Sequence, residues 1–400
     1  MALRSDSRGH HRDRGVMRKV LILTAGFGEG HNSAARALRS AFYEAPDLSV
    51  EEADIFALHA PRLNEFTRRA YHRVINSAPR VWSGFYGWLD RSPLAPRLMR
   101  LLAGETATLA ALLARKRPDA IVSTYPAYAW MLEIIRRRGG YACPLFTVIT
   151  DALTINSLWY RAPSQAWFVT DSGSAEILVN NGISADRIHV SGFPVNLEFA
   201  RRPAALQPPD PAHGSVRRVL YMVNSGRARA LATAKMLLRQ SDLLITITAG
   251  RDAQLLDELK TLAAEAPGRA VMLGWTDQVP TLLMNHHVVI SKAGGATTQE
   301  SINALCPMIV NQIVPGQEQG NYELLRLHNA AALAETPEAI VASLNTLFAN
   351  EGARWRDWRA NLREIAKPNA ARTIAATVLQ AIGQPWRGPV ESPQPAVVDG

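Results

Sequence analysis

Two strand-to-helix turns carry residue types that could act on a phosphate or a hydroxyl group. In the first, "LTAGFGEGHNSAARAL" (residues 23–38), glycines surround a carboxylate, Glu29, and His31 stands at the predicted start of a helix. Glycine-rich turns before helices often bind phosphate through free N–H groups. Here the Glu29 charge would repel a diphosphate, and the glycine spacing lacks the G-x-G-x-x-G pattern of dinucleotide folds. We therefore expect the first turn to face an acceptor molecule, with Gly28 and Gly30 permitting its close approach.

The imidazole of His31 has the chemistry of a general base. The ordinary pKa of histidine lies near neutrality, so this side chain could take the proton from an incoming hydroxyl or orient it. Asp151, the last residue of "TVITD" (147–151), could raise the basicity of that imidazole or be the base itself. The structural alternatives are that His31 only caps its helix and that Asp151 only holds a turn.

The second turn, "SKAGGATTQE" (291–300), places Gly294 and Gly295 before another predicted helix. A diphosphate bound there would meet free N–H groups and the positive end of the helix. Glu300, about one turn further, could accept hydrogen bonds from two ribose hydroxyls. The amide and carboxylate groups of "PGQEQGN" (315–321) suit the neighbouring hydroxyls of a sugar. The predicted donor-binding residues of these two segments are Lys292, Gly294, Gly295, Thr297, Thr298, Glu300, Gln317, Glu318 and Asn321.

Three further donor-binding candidates lie at other predicted strand ends. The exposed backbone around Trp275, after "RAVMLG", could pair with a planar base, and Gly250 ends the neighbouring run "DLLITITAG". The loop "MVNSGRARA" (222–230) has one glycine, so Arg227 could bind phosphate directly. The alternative for the acidic and amide residues is structural: Glu300 would favour the helix dipole, and Gln317 and Glu318 would be turn residues.

The elements that must position these side chains alternate between apolar strand-like runs and helical patterns. The runs are mostly continuous rather than alternating, as in parallel strands covered on both faces. A proline-rich stretch, 201–215, separates six runs from five more. This order predicts an α/β protein with two doubly wound Rossmann-like domains facing a cleft. The predicted parts are a disordered leader (1–16), an acceptor and membrane-facing domain (17–200), the linker (201–215), a donor-binding domain (216–366), a C-terminal helix (367–383) and a disordered tail (384–400).

One segment, 57–115, contains no strand-like run. Residues 61–100 hold eight arginines against only Glu65 and Asp90, with interleaved aromatic residues. Such a mixture suits a headgroup interface, and the net charge of +9 favours anionic membrane lipids. The alternatives are a helical insertion with inward-facing aromatics and, more remotely, single-stranded nucleic acid, for which no recognised fold is present. The predicted membrane-contacting residues are Arg80, Trp82, Phe85, Tyr86 and Trp88.

Composition excludes several classes of protein. No apolar run approaches the ~20 residues of a membrane-spanning helix. The two cysteines, Cys143 and Cys306, lie far apart in apolar surroundings, which favours buried thiols in a reducing compartment. The charged N-terminus has no apolar segment behind it, so a secretory signal is not expected.

These motifs together resemble glycosyltransferase family 28, in the branch of the monogalactosyldiacylglycerol synthases and processive diacylglycerol glucosyltransferases. The family pattern K-A-G-P-G-T-x-x-E is matched by Lys292–Glu300, and P-G-Q-E-x-x-N by Pro315–Asn321. The glycine and histidine loop at 26–35 resembles the family's G-x-G-G-G-H-x-x-A-A. "STYP" (123–126), with Tyr125 and Pro126 on the acceptor side, "TVITD" and "SGFPV" (191–195) occupy similar places, so the resemblance covers about residues 18–375.

The resemblance implies a GT-B fold and an inverting, metal-independent hexosyltransferase. The donor would be UDP-glucose or UDP-galactose and the acceptor diacylglycerol, with no cofactor and no nucleic acid, at the inner face of the cell membrane as a cytoplasmic, peripheral protein. The chain has no Asp-x-Asp pair for a divalent ion. Gly295 replaces the family's proline and Glu29 a glycine. The alternatives are transfer to another lipid, a UDP-sugar epimerase, and a non-catalytic UDP-sugar-binding protein.

Overall fold

The computed structural model describes residues 17–67, 98–202, 204–213, 216–314, 318–384, 386, 388 and 394–395. Two β-sheets organise this part of the chain, and helices pack on both faces of each sheet. The predicted α/β class with two doubly wound, Rossmann-like domains is therefore confirmed. Among the helices of this part, none is long and apolar enough to cross a membrane.

The first sheet has seven strands in the order β13-β6-β5-β4-β3-β1-β2. All pairs are parallel except the edge pair of β13 with β6. The central strands are buried on both faces, and Ile22, Val122 and Phe168 are fully inaccessible to solvent. The strands are β1 (Arg18–Leu23), β2 (Leu48–Ala53), β3 (Ala120–Ser123), β4 (Leu145–Val148), β5 (Ala166–Val169), β6 (Ile188–Val190) and β13 (Gln394–Pro395).

The second sheet has six parallel strands in the order β12-β11-β10-β7-β8-β9. Its order reverses between β10 and β7, so their carboxyl ends form the crevice where open α/β sheets bind ligands. The strands are β7 (Arg217–Met222), β8 (Leu243–Thr248), β9 (Ala270–Leu273), β10 (Val288–Lys292), β11 (Met308–Gln312) and β12 (Ala331–Leu333).

Thirteen α-helices connect or follow the strands in the described ranges, and the longest is broken. Residues 349–352 of that helix leave the helical region of the backbone, and three of the four have positive φ. The helices are α1 (Glu29–Phe42), α2 (Ile55–His59), α3 (Ala103–Lys116), α4 (Ala127–Arg137), α5 (Ser172–Asn180), α6 (Glu198–Arg201), α7 (Arg227–Leu238), α8 (Ala253–Ala263), α9 (Val279–Asn285), α10 (Gly295–Ala304), α11 (Gln319–Leu327), α12 (Pro337–Ile365) and α13 (Ala370–Ala381).

The last helix, α13, returns to the first sheet. Its buried residues Ile374 and Val378 pack with Leu38 and Phe42 of α1 in one hydrophobic cluster. The chain therefore passes between the two domains twice. At the second crossing Gly192, at φ +86°, lies so close to Lys367 that a side chain at 192 would collide with it. This contact explains why the second residue of "SGFPV" is a glycine.

The linker predicted at 201–215 is packed against the second domain. His287 Nε2 is hydrogen-bonded to the carbonyl of Pro209 at 2.9 Å, and Arg356 pairs with Asp210 at 3.0 Å. Each of the eleven predicted strands is present in shortened form, whereas β12 and the two-residue β13 were not predicted. The β13 residues lie within the predicted disordered tail and pair with β6.

Candidate active site

A cavity of about 390 Å³ lies between the two sheets. On one side are the start of α1 and the loop after β4, and on the other are the start of α10 and the strand ends of the second sheet. The predicted residues that line it are Gly28, Gly30, His31, Asp151, Lys292, Gly294, Gly295, Thr297, Glu318 and Asn321. Most of the predicted catalytic and donor-binding residues are thus brought together at one place.

The first turn is fixed by hydrogen bonds within the first domain. The Gly26 N–H donates to Asp54 Oδ2 at 2.9 Å, so a carboxylate of the protein already occupies this amide. The Thr24 hydroxyl donates to Asn32 Oδ1. Glu29 pairs with Arg36 on the same helix at 2.7 Å, which offsets part of its charge. These contacts are consistent with a turn that faces an acceptor.

His31 lies beside an aromatic group. Its ring stands 5.1 Å from that of Tyr125 and 6.0 Å from that of Trp159, centroid to centroid. Nδ1 is hydrogen-bonded to the Thr150 hydroxyl at 3.1 Å, and the backbone of Thr124 is a further hydrogen-bond partner of the His31 ring. Burial lowers the pKa of His31 to about 4, so the imidazole is neutral at physiological pH.

Asp151 has a different partner from the one expected. Its Oδ2 accepts a hydrogen bond from the Trp159 indole N–H at 2.8 Å, and within the described part of the chain it makes no hydrogen bond to His31. Burial raises the pKa of Asp151 to about 6, and the indole hydrogen bond opposes this rise. That Asp151 raises the basicity of His31 therefore stays a prediction, with no direct hydrogen bond between the two in this structure. Asp151 as a base in its own right stays a prediction.

The second turn begins α10 without a side-chain cap. Gly294 is the residue before the first turn of the helix, and no side chain of the described residues caps its first free N–H groups. Gly295 packs against the first domain, since a Cβ there would lie 3.2 Å from the carbonyl oxygen of Thr150. The free N–H groups and the positive helix end therefore face the cavity, as predicted for a diphosphate site.

Two predicted residues of this helix do not line the cavity. Thr298 is fully buried, and its hydroxyl has no hydrogen-bond partner in the described ranges. Glu300 points toward the first domain, where Arg36 and Glu29 act on it. Burial raises the pKa of Glu300 to about 7; Arg36 lowers this value and Glu29 raises it.

Glu318 and Asn321 hold the neighbouring loops. Glu318 Oε1 pairs with Lys292 Nζ at 2.5 Å, and Oε2 accepts the N–H of Val314 at 3.0 Å. The Asn321 side-chain N–H donates to the carbonyl of Ala293 at 3.0 Å. Both oxygens of Glu318 thus have protein partners, and the residue positions the Lys292 ammonium at the cavity.

The other predicted donor residues, Arg227, Gly250 and Trp275, follow the ends of β7, β8 and β9. Arg227 pairs with Asp252 at 3.2 Å, so its guanidinium already has a carboxylate partner within the protein. Trp275 is 64% exposed and stacks with Arg251, and Gly250, at φ +60°, lies next to it. These residues do not line the 390 Å³ cavity. Gln317 and the membrane candidates Arg80, Trp82, Phe85, Tyr86 and Trp88 fall outside the described residues.

Sequence reasoning missed several cavity residues. Asn224 and Gln312 follow or end the adjacent strands β7 and β11, on either side of Lys292 at the end of β10. Their positions at the carboxyl ends of neighbouring parallel strands were the available signal. Phe27 and Thr150 directly precede Gly28 and Asp151, but a lone aromatic or hydroxyl residue gave no chemical pattern to detect.

An aromatic wall adjoins the cavity on the acceptor side. The Tyr125 ring, predicted there with Pro126, stacks on Phe27 at 6.0 Å and meets Phe56 edge-on at 5.6 Å. Pro126 comes directly before α4. Further along the same domain, four large apolar side chains stand at least 58% exposed on both sides of the gap at 68–97: Leu58, Leu63, Phe66 and Leu101.

Comparison with solved structures supports the architecture. The fold matches a UDP co-structure of MnaA from S. aureus (TM-score 0.58, 10% identity, 92% of this chain and 97% of that one). It also matches MurG from Acinetobacter baumannii (0.56, 15%, 91% and 99%) and the glycosyltransferase SnogD from Streptomyces nogalater (0.58, 18%, 92% and 100%). At these identities the likeness shows the fold alone, which is the expected GT-B arrangement.

Comparison of sequences identifies the relatives. Residues 31–195 match the model of the monogalactosyldiacylglycerol (MGDG) synthase family. The processive diacylglycerol beta-glucosyltransferase of Bacillus subtilis (strain 168) is 23% identical over 371 residues, 91% of this chain and 95% of the relative. That of Bacillus cereus (strain AH187) is 23% identical over 380 residues, 94% and 97%. Along most of its length the chain therefore resembles glycosyltransferase family 28, in the branch of the monogalactosyldiacylglycerol synthases and processive diacylglycerol glucosyltransferases.

Proposed function

We propose that this glycosyltransferase moves a hexose from UDP-glucose or UDP-galactose to the hydroxyl of diacylglycerol or a similar membrane lipid. The observation that carries the proposal is the cavity between the sheets, where an uncapped helix end from each domain meets two candidate bases. The lipid acceptor, diacylglycerol, is proposed because curated relatives of this chain are named diacylglycerol glucosyltransferases.

The diphosphate of the donor would lie at the start of α10. Its N–H groups and positive end, with the Lys292 ammonium beside them, favour the charged diphosphate and the additional negative charge that develops on UDP as it leaves. We propose that this arrangement makes transfer independent of a divalent ion and of any cofactor. Within the described ranges, no three His, Cys, Asp or Glu side chains stand close enough together to hold a metal.

The acceptor hydroxyl would approach from the side of Phe27 and Tyr125. Its oxygen attacks the anomeric carbon on the face opposite the diphosphate, so the bond from carbon to phosphate oxygen breaks as the new bond forms and the configuration inverts. The hydroxyl proton passes to Asp151 or to the His31 imidazole. Two flanking domains bring these atoms together and exclude water, whose attack would hydrolyse the donor.

The site of action would be a membrane surface, the inner face of the cell membrane. The exposed apolar residues around the gap at 68–97 and the excess of positive charge suit a peripheral contact with anionic lipid. The lipid hydroxyl stays at the interface during transfer, so the acceptor side of the cleft must face it.

The test is a lipid glycosylation assay. The purified chain is incubated with anionic vesicles with or without diacylglycerol and with each labelled UDP-hexose, and the lipids are then separated. We expect labelled glycolipid with the β configuration, formed only when diacylglycerol is present. Conversion of the UDP-sugar without lipid would instead indicate an epimerase. Binding of UDP-sugar without UDP release in the presence of lipid would indicate a binding protein.

A further inference from the structure

The turn that follows Asp151 has a strained backbone. The Thr154 N–H donates to the carbonyl of Ala152 at 2.5 Å, and Leu153 between them has φ +53°. A hydrogen bond from residue i+2 to residue i around a positive φ is the rare, strained form of the γ-turn. Such conformations persist only where surrounding contacts hold them, and they concentrate at functional sites.

One helix of the first domain, α5, contacts one face of this turn. The Leu153 N–H donates to the Ser174 hydroxyl at 3.1 Å, and the Leu153 side chain packs beside Gly173 of the same helix. The Ala152 carbonyl and the Thr154 N–H lie on the other face of the turn, which the second domain contacts.

Gly320, at the start of α11, covers that other face. A Cβ at residue 320 would overlap the carbonyl oxygen of Ala152 and stand 2.8 Å from the Thr154 nitrogen. These neighbours are backbone atoms, so they can yield only if the turn itself shifts or the domains separate. Ala152 is also buried in a hydrophobic cluster with Leu324 of α11, which binds the two surfaces together.

The same end of α11 reaches the donor side of the cavity. Glu318, directly before the helix, holds Lys292, and Asn321, directly after Gly320, holds the Ala293 carbonyl. Within four residues this segment therefore contacts the predicted diphosphate loop and the turn next to Asp151. Because one helix end contacts both of them, the position of the diphosphate loop is linked to the position of the turn.

We propose that Gly320 is a positioning residue that couples closure of the cleft over the donor to the placement of Asp151. Its missing side chain lets α11 dock on the 152–154 turn, and this docking holds the strained backbone that aims the carboxylate at the acceptor. The inference rests on the proposed function, because it assigns the timing of proton removal in that reaction.

Gly320→Ala tests the coupling. We expect UDP affinity, measured by calorimetry, to stay within about threefold of wild type, because the contacts of Glu318 with Lys292 and of Asn321 with Ala293 lie within the second domain and the clash at residue 320 falls on the first. The kcat for lipid glycosylation should fall about 100-fold, the loss expected for a reacting group displaced by ~1 Å. The control on the same helix is Glu323→Ala, whose exposed carboxylate pairs with Arg326. It should leave kcat and the thermal unfolding midpoint near the wild-type values.

A second variant separates the coupling from a simple loss of folding. Glycine adopts positive φ without strain, so Leu153→Gly makes the turn less dependent on α11. Adding Gly320→Ala to Leu153→Gly should then cost several-fold less kcat than adding it to the wild type. Additive losses would overturn the role of the turn.

The outcomes distinguish this inference from the proposed function. Wild-type protein that forms no glycolipid would reject the function. Active wild-type protein with an equally active Gly320→Ala variant would reject only the coupling. Parallel losses of UDP affinity, kcat and unfolding temperature in Gly320→Ala would also reject it, since they would indicate a general packing role.

Discussion

Burial moves the pKa values of His31 and Asp151 in opposite directions. The imidazole pKa falls to about 4 and the carboxyl pKa rises to about 6. A base works best when its pKa lies close to the operating pH, so Asp151 is the better match of the two. The His31 imidazole remains suited to accept a hydrogen bond from the acceptor hydroxyl and orient it.

The first prediction concerns the pH dependence of kcat. Asp151 must be ionised to accept a proton, so the rate should fall as pH drops through about 6. Asp151→Asn should lower kcat by about 100-fold or more at pH 7.5, and His31→Ala should cost less.

Trp159→Phe provides the control on this assignment. It removes the indole hydrogen bond that favours the ionised carboxyl, so the acidic limb should move to higher pH. Measuring kcat from pH 5 to 8 for the four proteins checks this. A limb that keeps its position in the Asp151→Asn variant would assign the titration to another group.

The roles of single residues were only partly predictable. The glycines and the carboxylates near the second turn were found because their spacing is local. The pairing of Lys292 with Glu318 was not, because 26 residues separate them and only the fold brings them within 2.5 Å. Arg227 was predicted as a phosphate ligand, yet the neighbouring strand end supplies Asp252 as its partner. The sequence identifies a charged residue such as Arg227, but only the fold shows which residue of opposite charge lies beside it.

At the scale of elements, α13 is held to the first domain by an ion pair between a buried arginine and a partly exposed glutamate. The Arg372 guanidinium donates to both oxygens of Glu44, at 2.7 and 2.8 Å, and its side chain is 10% exposed. The hydrogen bond from Arg372 lowers the pKa of Glu44. This two-pronged contact links the C-terminal helix to the end of α1.

Arg372→Ala should therefore destabilise the protein. Its removal leaves Glu44 without its charge partner, and we expect a loss of about 1–2 kcal/mol in the free energy of unfolding at pH 7, because Arg372 is buried whereas Glu44 stays partly solvated. A lowered carboxyl pKa stabilises the fold above the ordinary glutamate pKa, and this contribution disappears as pH falls through the folded-state value. The difference between variant and wild type should accordingly shrink toward pH 3.

Arg326→Ala is the matched comparison for this prediction. Arg326 pairs with Glu323 on the exposed surface of one helix, with side-chain exposures of 52% and 38%. We expect a change below about 0.5 kcal/mol, as for solvent-exposed pairs in general. Urea unfolding measures both variants, and equal effects would refute a special role for Arg372.

The elements themselves were largely predictable, with failures that have physical causes. Continuous apolar runs such as "VLIL" identify buried parallel strands, and all eleven predicted strands form. β12 is only "AAL", too short and too weakly apolar to stand out, and β13 consists of two residues. The helical pattern near the C-terminus predicted α13 but not its destination, because packing on α1 depends on contacts more than 300 residues apart.

At the scale of the whole molecule, charge and apolar surface meet on the first domain. The exposed Arg100 and Arg138 line a second cavity of about 450 Å³ with Trp130, close in sequence to the exposed Leu101. Positive side chains beside exposed apolar ones are typical of surfaces that bind anionic lipid.

Vesicle binding should depend on lipid charge, on salt and on which domain carries the charge. The double variant Arg100→Glu and Arg138→Glu should weaken binding to phosphatidylglycerol vesicles at least about 30-fold, at ~1 kcal/mol for each positive charge lost. Lys235→Glu with Arg239→Glu makes the same charge change on an exposed face of the second domain and should have little effect. Sedimentation at 50 and 500 mM salt measures both, and equal weakening would point to a response to net charge alone.

The path of the chain has a consequence for synthesis on the ribosome. Because α13 completes the hydrophobic cluster around α1, the first domain lacks part of its core until residues 370–381 have been translated. The second domain, whose strands lie between 217 and 333, emerges complete before then. The first domain of the nascent protein therefore stays incompletely packed while the second domain folds.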